Sequence, residues 1–415
     1  MHQKFNYSII TGYLNGSRLL LFIAVFFALP VTGQTIEFVR LAQSPEVETS
    51  YSSTVAADGS SYHTGFIGSP AIIHGAVQAG FGDADAFLAK YNAQGAFQWA
   101  ITAGGTWSDN GRDILADAES NVFWTGSVDY TGTLAGHTIG TTDPNYNSAF
   151  FVCKINAAGQ VQWVRSIPNR FASWNKIAPI RVYPDGSVDV VGLLASQVTL
   201  NLDGQTLSSG NRDMIYSARF SSAGTCLQII PLISSIHNQN DLRLNSIVSE
   251  PDGTLYISGS LVGTGTFGIT PLSTIGAQRH VYLAKFTSSG SLIWAHVFKD
   301  GIQNQSFLTK DKYGRLLMAG SFTDSLTVGS HQLLSSSISQ GFIARFDTAG
   351  TVQWIKKYGG QGVTSFQSIC YSPLDKIIVC GGAQPYFVTQ PPLTVLDTVV
   401  LNGYGSHDGI IAGLD

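Results

Sequence analysis

Three short segments of this 415-residue chain carry side chains suited to recognising a ligand. The first holds Trp107, Asp109 and Arg112, and the second holds Asn169, Arg170, Trp174 and Asn175. The third holds His237, Asn238, Asn240, Asp241 and Arg243. A tryptophan face offers flat apolar area to a sugar ring or a peptide side chain, while Asn, Asp and Arg beside it supply directed hydrogen bonds. Asp109 and Asp241 allow a second chemistry, because two carboxyl groups roughly 5 to 9.5 Å apart can cleave a glycosidic bond as acid and base or nucleophile. Other reaction motifs are missing from the sequence: there is no His-x-x-x-His, Gly-x-Ser-x-Gly, phosphate loop or EF-hand pattern, and no Cys-x-x-Cys for zinc or redox work. No cofactor and no metal is therefore expected.

These segments need a scaffold, and composition indicates its kind. Charged residues make up 12% of the chain, about half the usual share, and Gly, Ser and Thr stand in their place. With 23 basic against 27 acidic residues the chain lacks the positive field of a nucleic-acid binder. An all-β exported protein fits better. Lys4 and Arg18 precede an apolar run from Leu19 to Leu29, followed by small residues up to Gly33. That run is too short to span a bilayer, which takes roughly twenty residues, so residues 1–33 read as a secretory signal peptide. The expected product is a secreted, periplasmic or surface monomer that does not span the membrane.

The rest of the chain, 34–415, repeats itself about every sixty-four residues. A strand-like run before a glycine recurs as Asp85 to Tyr91 with Gly95, Ser148 to Ile155 with Gly159, and Asp213 to Phe220 with Gly224. It continues as His280 to Phe286 with Gly290, Gly341 to Phe346 with Gly350, and a last copy, Asp408 to Leu414. The run after the turn carries Trp99, Trp163, Trp294 or Trp354, with Gln228 in the third copy. Upstream, hairpin turns at Asp58-Gly59, Asp185-Gly186 and Asp252-Gly253 lead into strands that close on Gly65, Gly126, Gly192, Gly259, Gly320 and Gly381. Six copies of about four strands result. The last copy stops after its third strand, while Thr35 to Arg40 reads as an orphan fourth strand with Phe38 in the tryptophan slot. Pairing the two would leave no bare sheet edge. The predicted fold is all-β: a six-bladed β-propeller of four-stranded antiparallel blades, closed by its N-terminal strand.

The run from Asp85 to Trp99, followed by the Thr125-Gly126-Ser127 strand end, resembles the bacterial β-propeller repeat family called SBBP, and the likeness extends over essentially the whole mature chain. The resemblance implies an exported propeller. It implies no catalytic residues, and the seven blades in the family's name depart from the six counted here.

The copies also act as controls on one another. Lys90, Lys154, Arg219, Lys285 and Arg345 share one slot, and the tryptophans share another, so both sets read as blade-building residues. Cys153, Cys226 and Cys380 fall in small or apolar slots and read as free thiols. A two-residue turn at Leu374-Asp375 would pair Cys370 with Val379 and set Cys370 and Cys380 on opposite faces. His74, His137 and His331 fall in the connection between second and third strands, read as turn and edge positions, and Asp83, Asp85, Asp213 and Asp408 read as turn aspartates. The leading functional expectation is a secreted binding scaffold for a glycan or a cell-surface protein. An extracellular polysaccharide hydrolase or lyase and a purely structural envelope component are the alternatives.

Overall fold

The structure is a computed structural model. It describes residues 42–43, 49–68, 71–73, 76–78, 80–170, 177–235, 242–274, 279–298, 302–360, 362–372, 375–384, 393–396, 399–402 and 408–414. The described residues all belong to one compact unit, and the expected export signal and the orphan strand from Thr35 to Arg40 lie outside the described residues.

Among the described residues every regular element is a strand, and every ladder between named strands is antiparallel. The repeat read from the sequence is the repeat of the sheets. Repeat 1 pairs Thr49–Val55, Ser61–Gly68, Ala84–Tyr91 and Phe97–Gly105 in that spatial order. Repeat 2 does the same with Asn110–Ala116, Val122–Asp129, Ser148–Ile155 and Val161–Asn169. Repeat 3 uses Ile177–Val182, Val188–Leu194, Met214–Phe220 and Cys226–Ser235. Repeat 4 uses Leu242–Ser249, Leu255–Val262, Arg279–Phe286 and Leu292–Val297, and repeat 5 uses Ile302–Lys310, Leu316–Phe322, Gln340–Phe346 and Val352–Tyr358. Repeat 6 has three of these strands among the described residues: Val363–Tyr371, Ile377–Gln384 and Asp408–Leu414.

The expected four strands per copy fall short by two. What read as a loop between second and third strands is a small hairpin, as in Thr131–Leu134 with His137–Gly140 and Thr264–Phe267 with Thr270–Ser273. These two hairpins reach back and pair with the fourth strand of the preceding repeat, Thr133 against Gly104 and Thr266 against Ser234. An otherwise bare edge is thereby covered.

The third strands are continuous apolar runs because both of their faces are buried. In Ser148–Ile155, Phe150 and Val152 pack toward repeat 3, whereas Phe151, Cys153 and Ile155 pack toward repeat 1. Buried clusters of this kind lie between each of the five successive sheet pairs from repeat 1 to repeat 6.

The fourth-strand tryptophans lock one repeat to the next. The indole of Trp99 covers Gly159, Trp163 covers Gly224 and Trp294 covers Gly350, so tightly that a Cβ on these glycines would lie 3.0, 2.6 and 2.7 Å from a ring carbon. All three glycines hold positive φ (84°, 81° and 87°). The Trp99 and Trp163 indole N–H groups donate to Ala157 O and Ser222 O in the same turns. Repeat 3 has Gln228 in the tryptophan slot, and Ile230 takes over its task, with Cγ2 at 2.3 Å from a Cβ built on Gly290.

The turns differ in detail from a two-residue Asp-Gly loop. In repeat 1, Gly59 N–H donates to Ala56 O and Ala56 N–H to Ser60 O, giving a three-residue loop whose last residue is left-handed. Asp58 keeps negative φ and accepts from Ser60 N–H. The same loop in repeat 6, with Asp375 at φ 63°, sets Cys370 opposite Ile378 and Cys380 opposite Ser368. This corrects the expected pairing: the two thiols share one face of the sheet, diagonally, and all four cysteines are free.

Strand-closing glycines answer to a different constraint. The first strand bulges opposite them, as between Leu244 and Ser246, and its carbonyl lies over the glycine. A Cβ on Gly259 would sit 1.8 Å from Arg243 O, whereas one on Gly204 (φ 85°) would meet nothing within 4 Å. Gly204→Ala should therefore cost only the left-handed penalty, about 1–2 kcal/mol. Gly259→Ala should cost more than 3 kcal/mol by forcing backbone apart, in line with overpacking penalties of roughly 1–3 kcal/mol or more. Urea unfolding of the two variants checks the contrast.

Candidate functional site

In each sheet the first-to-second and third-to-fourth turns lie at one end, and the connection to the next repeat lies at the other. Trp107 and Asp109 sit in the connection from repeat 1 to repeat 2, and Arg112 is the third residue of the first strand of repeat 2. Trp174, Asn175, His237, Asn238, Asn240 and Asp241 lie outside the described residues.

Asp109 is a structural brace. Its residue is fully buried, and its two carboxylate oxygens accept the backbone N–H of Gly105 (2.6 Å) and of Asp129 (2.9 Å). It ties the end of one sheet's fourth strand to the end of the next sheet's second strand. Asn169 performs the same task one repeat later with a neutral amide, its Oδ1 accepting from Ala195 N–H and its Nδ2 donating to Leu193 O. Asp85 converges on the same spot. Its Oδ1 and Asp109 Oδ2 lie 2.2 and 2.7 Å from where a Cβ on Gly104 would stand, and that Asp85 oxygen is buried without a hydrogen-bond partner. Burial, and to a lesser degree the neighbouring Asp85 and Asp129, push the Asp109 carboxyl up to about 7 against the pull of its two backbone donors. Burial also raises Asp85.

The exposed element is aromatic. The Trp107 and Tyr130 rings lie 6.0 Å apart at 43°, and the residues are 54% and 51% exposed. Sequence reasoning passed over Tyr130, although it leaves a trace. It directly follows the second strand and holds φ 57°, in a connection where Gln197, Gly263 and Asp324 hold the left-handed residue in other repeats. A bulky residue in left-handed backbone is an outlier, and strain of that sort clusters at functional positions.

Arg112 is half-buried, its Nε donating to Ser127 Oγ (3.3 Å) and its guanidinium 5.6 Å above the Tyr51 ring. Burial lowers its pKa. Arg170 bonds Gln197 Oε1 (2.9 Å), so a connection residue again meets the left-handed residue of the following repeat, as Trp107 meets Tyr130. Arg243 is exposed, and its carbonyl accepts the Tyr282 hydroxyl. The structure thus gathers Trp107, Asp109 and Arg112 around the 127–130 segment, with Trp107 and Tyr130 outward and Asp109 inward. Among the described residues no cluster of three or more His, Cys, Asp or Glu forms a metal site, and no helix is long and apolar enough to cross a membrane.

Compared with known proteins, the chain matches no family model and no curated protein.

Asp109 predicts a measurable pH dependence. A carboxyl whose folded pKa lies above its unfolded value of about 4 binds its proton more tightly when folded, so it favours the folded state below pH 4 and loses that advantage as pH rises toward 7. The melting temperature should fall between pH 5 and pH 8. Asp109→Asn removes the titrating group and should flatten that fall, while lowering the melting temperature at both pH values because its NH2 faces one of the two backbone N–H groups that the carboxylate accepts; thermal scans at the two pH values check it.

Proposed function

We propose that the chain is an exported carbohydrate-binding scaffold whose ligand rests on the Trp107–Tyr130 pair. In this reading the six successive sheets are blades of a six-bladed β-propeller of the SBBP kind, and the Thr35 to Arg40 run supplies the sixth sheet's fourth strand. The apolar run from Leu19 to Leu29 supports export. The observation that carries the function is the exposed tilted aromatic pair, one member held in left-handed backbone. Two adjoining ring faces suit the alternating CH faces of a pyranose chain. Connections carried on a rigid stack of sheets are where binding residues concentrate.

The hydrolase alternative asked Asp109 to act as one of two catalytic carboxylates. Both of its oxygens are spoken for by backbone amides, which favours binding over turnover at this place.

Glycan-array screening of the chain from residue 34 onward should find a neutral or acidic polysaccharide. Trp107→Ala and Tyr130→Ala should each weaken that binding at least tenfold while the melting temperature moves by less than about 2 °C, because exposed substitutions away from packed features change stability little. Unchanged binding in both variants, or large losses of stability, would remove the proposal.

A further inference from the structure

Beside the connection that carries Trp107 lies a second loop with an exposed ring of its own. Phe81, 40% exposed, stands in the loop that leads into the third strand of repeat 1. The two loops touch along their backbones. A Cβ on Gly82 would lie 2.4 Å from both Gly105 O and Thr106 O. Ala84 and Ser108 form a parallel bridge, beside which Asp109 N–H donates to Ala84 O (2.7 Å). Phe81 precedes Gly82 and Trp107 follows Thr106, so each ring stands one residue from the contact.

Each loop is tied to its own aspartate. Phe81 N–H donates to Asp85 Oδ2 (2.9 Å), as Gly105 N–H does to Asp109 Oδ2 (2.6 Å). The two carboxyl groups then meet over Gly104, in space that only the missing Cβ leaves open. The Asp85 oxygen at this meeting is Oδ1, buried and without a hydrogen-bond partner. Two buried carboxylates so placed repel each other, and neither has a cation at ion-pair distance among the described residues. Asp129, at the end of the second strand of repeat 2, adds to the repulsion on Asp109, and Arg112 faces Asp129. Asp83, on the Phe81 loop, is exposed.

The junction from repeat 5 to repeat 6 follows the same plan without acids. Ser339 and Val363 form the parallel bridge, and Thr364 N–H donates to Ser339 O (3.0 Å). Gln340 and Thr364 follow that bridge as Asp85 and Asp109 follow theirs. Backbone geometry therefore does not call for two carboxyl groups here.

We propose that Asp85 and Asp109 hold one proton between them, and that this proton fastens the Phe81 loop to the Trp107 loop so that Phe81, Trp107 and Tyr130 form one ligand surface. A proton on Asp85 Oδ1 gives the unpartnered oxygen a hydrogen bond to donate to Asp109 Oδ2, which keeps a lone pair after accepting from Gly105 N–H. The proton belongs to the pair rather than to either residue. Burial raises both groups, Asp109 to about 7, so the pair loses its proton to solvent as pH rises through that value and the two charges then push the loops apart. The clamp does not depend on what the surface binds, whereas the part given to Phe81 rests on the carbohydrate reading.

Amide hydrogen exchange of the full chain, corrected for the intrinsic pH dependence of exchange, tests the clamp without a ligand. From pH 5 to pH 8 the Phe81 and Gly105 amides should lose about tenfold or more of their protection while the Thr364 amide keeps its own. Asp85→Asn, whose oxygen can accept from Phe81 N–H and whose NH2 can donate to Asp109, should hold the low-pH protection at both values. Protection indifferent to pH in the unaltered chain, or still falling in Asp85→Asn, would overturn the clamp. The glycan array, run at both pH values, tests the surface: glycans bound at pH 5 should be held more weakly at pH 8 and by Phe81→Ala, but equally at both values by Asp85→Asn. Binding lost in Trp107→Ala and unchanged in Phe81→Ala would leave the carbohydrate reading standing and remove Phe81 from the surface. An array with no bound glycan would count against that reading, and the exchange result would still decide the clamp.

Discussion

An indole lying on a left-handed glycine of the following repeat is the contact on which the rest of this molecule depends. It needs two residues about sixty apart in sequence to be correct at once: a tryptophan on a fourth strand, and a turn residue with no Cβ to displace the ring. The ring then fixes the sheet-to-sheet spacing, and in repeats 1 and 2 the indole N–H also satisfies a turn carbonyl. Where the tryptophan is absent, in repeat 3, Ile230 keeps the glycine covered without the hydrogen bond. The spacing set this way lets the third strands bury both faces. It also brings the connection after each repeat against the next one's second strand, where the aromatic pair and the Asp109 brace are formed.

The two ends of the sheets then acquire different chemistry from the same plan. At the connection end, the brace position takes Asp109 or Asn169, and the left-handed position takes Tyr130, Gln197, Gly263 or Asp324, so the scaffold stays constant while the outward side chains vary. At the turn end the opposite holds. Asx-type turns recur with Asn92, Asn156 and Asp347 accepting from amides two and four residues on, and Ser221 and Thr287 accept from the amide four residues on in the other two repeats, so the turn geometry is kept. A repeat architecture thereby separates a constant geometry from a free choice of surface groups.

Much of the scaffold was legible in the sequence because strand runs, turn glycines and tryptophans recur at one period, and repeated residues mark positions that geometry dictates. The inserted hairpins were not, since strands of four residues such as Thr131–Leu134 carry too few alternations to distinguish them from loop. The register around Cys370 and Cys380 escaped for a related reason: a three-residue turn in place of a two-residue one shifts the pairing by one residue, and the turn length does not follow from residue type alone. Asp109 was legible as unusual but not as buried, because its burial comes from the fourth strand of one sheet and the second strand of another. Tyr130 looked like ordinary strand-end sequence; only its backbone angle sets it apart.

A double-mutant cycle at Trp163 and Gly224 measures the central contact directly. Trp163→Ala alone should cost about 3–5 kcal/mol, as for other buried aromatic truncations. Gly224→Ala alone should cost both the left-handed penalty and the clash with the ring. In the double variant the clash is gone, so the two losses should fall short of additivity by at least about 1 kcal/mol, within the range measured for touching residues. Strict additivity, in denaturant unfolding with unchanged m-values, would mean that the indole and the glycine do not hold the sheets together.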